Sequence, residues 1–101
     1  MAIVLNLAWP GVTPDAYDQV LNIVDWEERP ADGGIFHVAW FDDKGLRVTD
    51  VWESPQAWDA FFRERLTPGL ERVGVEGEAQ VQVAQVHRYF DTAAARGAAN
   101  S

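Results

Sequence analysis

The alternation of apolar and polar positions divides the chain into six segments. Residues 2 to 9 are apolar on both sides of a period-two pattern except at Asn6, which predicts a buried strand. Trp9-Pro10-Gly11 breaks it. Thr13-Pro14-Asp15 then supplies a cap, a proline for the first helical position and an acid for the first turn. Tyr17, Val20, Leu21 and Val24 follow at helical spacing, and this helix is expected to end between Asp25 and Glu28, ahead of a loop over Arg29 to Gly34.

Residues 35 to 41 read as a second strand. Asp42-Asp43-Lys44-Gly45 reads as a tight turn, and Leu46 to Glu53 as the third strand of a hairpin. The apolar strand hands over directly to a helix at Ser54-Pro55, a capping hydroxyl followed by a residue that needs no N–H. Trp58, Phe61, Phe62 and Leu66 share one stripe of that helix. An interruption is expected at Thr67-Pro68-Gly69, with a short continuation through Leu70 and Val73. Gly74 to Gly77 is a loop, residues 79 to 90 a last strand, and Asp91 onward a frayed tail without large apolar side chains. One domain over residues 1–90 is expected.

The order βαββαβ predicts an α+β, ferredoxin-like fold: a four-stranded antiparallel sheet with two helices on one face. The helices cannot cover both faces. Ile35, Ala39 and Phe41 lie on one side of the second strand, while Phe36, Val38 and Trp40 lie on the other. At about 1.5–3 kcal/mol per large side chain removed from water, the uncovered face calls for a partner, and a face-to-face homodimer is expected.

Composition narrows the partners. Sixteen acidic against eight basic residues give a net charge of −8, which repels nucleic acid and anionic membrane. The absence of cysteine excludes disulfides, thiolate chemistry and cysteine-based zinc sites. No basic n-region opens the chain and no apolar run approaches a membrane span, so a cytoplasmic protein is expected.

With its doubly apolar sheet and the junction Val51-Trp52-Glu53-Ser54, the chain resembles the dimeric α+β barrel superfamily. Within it, the chain is similar to the small antibiotic biosynthesis monooxygenase-like (ABM-like) proteins. Val48 to Phe62 resembles that family's V-W-x-S-x-x-A stretch with its following aromatic. Ile35 to Ala39, Pro10 to Thr13 and Val86-His87 resemble small actinobacterial members. The resemblance covers residues 2 to about 90 and implies the fold and the dimer. Haem-degrading members carry a first-strand Asn, a helical Trp and an axial His; those positions fall here on Asn6, Phe61 and on or beside Glu71. An iron ligand is therefore missing, and haem degradation is not expected.

The resemblance implies a cofactor-independent monooxygenase acting on an aromatic, polyketide-like substrate, with no cofactor and no metal. His37 is the candidate base, since imidazole titrates near neutrality, though a structural histidine would look the same in the sequence. Asn6 is the second catalytic candidate, a donor to substrate oxygen if it faces the helices. Trp40, Trp52, Trp58, Phe61 and Phe62 are candidates for the walls of a pocket for a small aromatic ligand, and they equally suit a core. His87 is a further substrate-binding candidate in a polar setting that also fits surface. Trp9 and Trp26 read as rim or interface residues, and Asp50 as a solvated or salt-bridged acid. The alternative to catalysis is a ligand-binding or accessory dimer; a third reading is a closed module without a cavity.

Overall fold

A computed structural model describes residues 1–90 of the chain, so the expected tail lies outside the described residues. The strands are β1 (Ile3–Pro10), β2 (Gly34–Asp42), β3 (Gly45–Trp52) and β4 (Gln80–Gln85). They form one antiparallel sheet in the order β2-β3-β1-β4. Helix α1 (Pro14–Val24) connects β1 to β2, and a helical run from Pro55 to Val73 connects β3 to β4. The architecture is the expected α+β ferredoxin-like one.

Both helices start where the capping chemistry predicts. Thr13 Oγ1 accepts from the Ala16 N–H at 3.1 Å, and Ser54 Oγ accepts from the Ala57 N–H at 3.1 Å, each followed by a proline. The β2–β3 turn is equally local in origin. Asp42 Oδ1 accepts from the backbone N–H groups of Lys44 and Gly45, which holds its carboxyl below the usual carboxylate range. Gly45 has φ of 134°, and a Cβ there would lie 2.7 Å from the Trp9 carbonyl oxygen, so only glycine closes this turn against β1.

The expected interruption at Thr67-Pro68-Gly69 does not occur. Helix α2 (Pro55–Phe61) passes through a π-helical turn (Phe62–Leu66) straight into α3 (Thr67–Val73). Pro68 explains this form. Its ring would press on the carbonyl one turn earlier, and widening that turn, with the Thr67 N–H reaching back to the Phe62 carbonyl, relieves the clash without ending the helix. The last strand is also shorter than residues 79 to 90, because pairing with β1 runs out at Ile3↔Gln85. One further bond, Val86 N–H to the Ala2 carbonyl, follows.

Every second residue of β1, namely Ile3, Leu5, Leu7 and Trp9, is buried beneath the helices, as are Leu46, Val48, Asp50 and Trp52 of β3. The opposite face is uncovered. Phe36, Val38 and Trp40 are exposed there, with Phe36 at 52%.

Candidate active site

Register places one acid beneath one base. The two-residue connection between Asp42 and Gly45 makes His37 of β2 the direct partner of Asp50 of β3, with both side chains on the helix-covered face. His37 Nδ1 and Asp50 Oδ1 are 2.6 Å apart, and Asp50 is only 2% exposed. Asp50 Oδ2 accepts from the Trp52 Nε1–H at 3.2 Å. The fully buried Trp52 thus holds the acid from behind. From α1, the Tyr17 hydroxyl lies 2.7 Å from His37 Nε2.

These bonds order the protons. A carboxylate accepts at both oxygens, so Nδ1 carries the imidazole hydrogen and Nε2 is left as an acceptor for the Tyr17 O–H. Burial, reinforced by the negative charges of Asp50, Asp18 and Glu27, pushes the Tyr17 hydroxyl above its ordinary value, which keeps that proton in place. The result is a directed chain: Tyr17 to His37, His37 to Asp50, and Trp52 to Asp50 from the other side.

Aromatic rings enclose it. The Tyr17 and His37 rings lie nearly parallel, 3° apart, and the Trp26 ring lies 5.3 Å from that of His37. Trp26 follows the α1 cap, Asp25, whose left-handed φ of 57° turns the chain back over the sheet. The ring comes so close to the start of β2 that a Cβ on Gly34 would meet it at 2.8 Å, so the absent side chain makes room for Trp26. Beneath these rings is an apolar cavity of about 80 Å³, lined among others by Leu7, Val48, Trp58 and Phe61. The same rings border a second recess of about 320 Å³. Tyr17, Leu21, Trp26 and His37 line both spaces.

Of the residues singled out in the sequence, the structure brings together His37, Trp58 and Phe61 on the cavity wall, with Trp52 behind them. It does not bring in the others. Asn6, expected to face the helices, is on the uncovered face, where its Oδ1 accepts from the Thr49 hydroxyl at 2.7 Å. The strict alternation of β1 puts any even-numbered position there, however apolar its neighbours. Trp40 is on that face too, and Phe62 is on the outer side of the helical run, packed only on Trp58 among the aromatics. His87 is exposed beyond the end of β4.

Trp9 corrects its reading as a rim or interface residue, whereas half-buried Trp26 does border a recess. Trp9 is buried in the core, and its Nε1–H has no acceptor among the described residues; Trp26 packs on His37, Trp52 and Phe61. Tyr17 was legible only as a helix-face residue, since nothing local links it to His37 twenty positions on. Asp50 did carry a signal. Counting five positions back from each side of the tight turn pairs it with His37. Among the described residues, no three His, Asp or Glu side chains gather as a metal-binding group, and no helix is long and apolar enough to cross a membrane.

Comparison with solved structures identifies the architecture. SnoaB, a cofactor-independent oxygenase from Streptomyces nogalater, superposes with a TM-score of 0.60 at 12% identity, covering 87% of this chain and 94% of that one. The fold is that of the ABM-like proteins. A protein from Deinococcus radiodurans named as a candidate antibiotic biosynthesis monooxygenase gives 0.60 at 14% identity over 90% of this chain and 97% of its own. A dimeric ferredoxin-like protein of unknown function from Thermobifida fusca gives 0.63 at 12% identity over 85% and 92%. No protein-family model matches the chain, and no curated protein matches it by sequence. At these identities the ABM-like likeness is one of fold.

Proposed function

We propose that the chain is an ABM-like homodimer that oxygenates a hydroxylated aromatic ring without a cofactor, with His37 as the general base. The observation that carries this reading is the Asp50–His37–Tyr17 chain on the wall of an apolar cavity. A base needs a free lone pair and a partner that fixes its tautomer, and His37 Nε2 has both once a substrate oxygen takes the place of the Tyr17 hydroxyl.

Nε2 takes the proton of the ring hydroxyl, and Asp50 supports the imidazolium that results. The electron-rich ring carbon then transfers electrons to dioxygen and bonds to it. The imidazolium returns its proton to the bound peroxide, Nε2 then takes the hydrogen on that carbon as the O–O bond breaks and a carbonyl forms, and that proton leaves with the hydroxide as water. Two hydrogens leave the substrate, one oxygen enters, and dioxygen is the oxidant. Tyr17, whose hydroxyl holds its proton, is placed to donate a hydrogen bond to an oxygen of the reacting molecule. The unpartnered Trp9 Nε1–H is a donor available to a ligand oxygen.

Pairing through the uncovered sheet face is supported by the exposed Phe36, Val38 and Trp40 and by the dimeric neighbour of the same fold. A second reading, a ligand-binding dimer without turnover, is favoured by the Tyr17 hydroxyl that already occupies His37 Nε2. The inner cavity, about 80 Å³, is far below the roughly 300–1,000 Å³ of ordinary ligand sites, so a polycyclic molecule does not fit it in either reading.

Oxygen uptake with a panel of quinols under air separates the two readings. Turnover that falls about 10²- to 10⁴-fold in His37→Ala supports the base; turnover indifferent to that substitution removes it.

A further inference from the structure

His37 borders a second, larger recess besides the apolar cavity. The recess is lined by Tyr17, Leu21, Trp26, Glu27, Ile35 and His37, with Phe36 shared with the sheet face proposed for pairing, and the His37 side chain is 24% exposed. Its rim carries a local irregularity. The pairing of β2 with β3 shifts register between Gly34 and Phe36, leaving Ile35 as a bulge at the rim. At about 320 Å³, the recess is within the range of ordinary ligand sites for a single substituted ring.

Its charge has one sign. Glu27 lines the recess, Asp50 lies behind His37, and Asp18 is near enough to act on the Tyr17 hydroxyl. Among the described residues, no lysine or arginine lines the recess or the inner cavity. The whole chain carries −8, so the long-range field adds to the local one. A carboxylate or phosphate arriving here would lose water without gaining a cation. An ammonium would gain Glu27 and Asp18.

We infer that the ligand enters through this recess, stacks on Trp26 and is a neutral or amine-bearing hydroxylated ring, with carboxylated rings excluded. This rests on the proposal that His37 and Tyr17 face the reacting molecule, and it adds the entry side and the charge class. Trp26 is the specificity-determining ring, since it lines both the recess and the cavity.

The test is anaerobic calorimetric titration of the intact protein at neutral pH with three catechols: dopamine, catechol itself and 3,4-dihydroxybenzoate. Dopamine is expected to bind roughly threefold to tenfold more tightly than the benzoate, with catechol between them, and the gap is expected to shrink with salt. In the double variant Asp18→Asn, Glu27→Gln, both exposed positions, the gap is expected to close. Trp26→Ala is expected to weaken all three. Benzoate binding as tight as dopamine, a preference that survives the double variant, or no binding of any catechol at millimolar concentration would each overturn the inference. Binding selectivity without oxygen uptake would sink the oxygenase reading and leave this one standing.

Discussion

The two faces of one sheet treat polar residues in opposite ways. Under the helices, Asp50 is buried with both carboxylate oxygens engaged, by His37 and by Trp52, and His37 is in turn engaged by Tyr17. On the uncovered face, Asn6 and Thr49 are direct cross-strand partners joined by a single bond, in reach of solvent. A polar group removed from water is costly without protein partners, so a buried carboxylate is embedded in a network; an exposed group has water instead. The polar residue that stood out in the sequence, Asn6, is the one whose setting costs least. The residue that looked ordinary, Asp50, organises the site.

Removing the acid is the sharpest way to break this contrast. Asp50→Ala strands two donors, His37 Nδ1–H and Trp52 Nε1–H, and is expected to cost about 3 kcal/mol in urea denaturation. Thr49→Ala, its neighbour on the other face, is expected to cost under about 1 kcal/mol. Equal losses would show that burial does not separate the two networks.

The uncovered face has its own larger test. Trp40→Asp places a charge in the apolar patch and is expected to weaken self-association by about a hundredfold, read as a shift toward monomer in sedimentation. An unchanged dimer would move the interface elsewhere.

A smaller effect distinguishes Tyr17 by pH. Because its hydroxyl titrates above the ordinary 10.0 in the folded chain, the unfolded chain loses that proton first. The folded state therefore loses stability as pH rises through about that value. Tyr17→Phe is expected to flatten that decline when denaturation is followed on either side of it. A decline of the same slope in the variant would remove Tyr17 from the network.

The smallest effect belongs to Asn6. Asn6→Ala is expected to change stability by less than about 1 kcal/mol and to leave catechol affinity as it was.

Much of the fold was legible because its signals are local. Thr13 and Ser54 with their following prolines start the helices, the Asp42–Gly45 turn starts the return strand, and period two assigns the faces of β1 and β3. The misread stretch, Thr67 to Gly69, failed because proline chemistry has two outcomes. A helix can stop, or it can widen by one residue, and packing of α3 on α1 through Gly69 accompanies the second. The site was legible in part. His37, Trp58 and Phe61 belong to it, while Trp40, which period two already set on the side opposite His37, and Phe62, on the outer side of its helical run, do not.

The residue order alone dictated the succession of strands and helices, the tight turn and, through that turn, the pairing of His37 with Asp50, because capping and hairpin geometry act over a few residues. Whether the imidazole would meet a hydroxyl, and whose, arose only when α1 came down on the sheet and set Tyr17 against Nε2. So did the closing of Trp26 over His37, which depends on the turn after α1 and on the missing side chain at Gly34. Contacts between elements are chosen by the packing of whole faces, and no short stretch of the chain contains that choice.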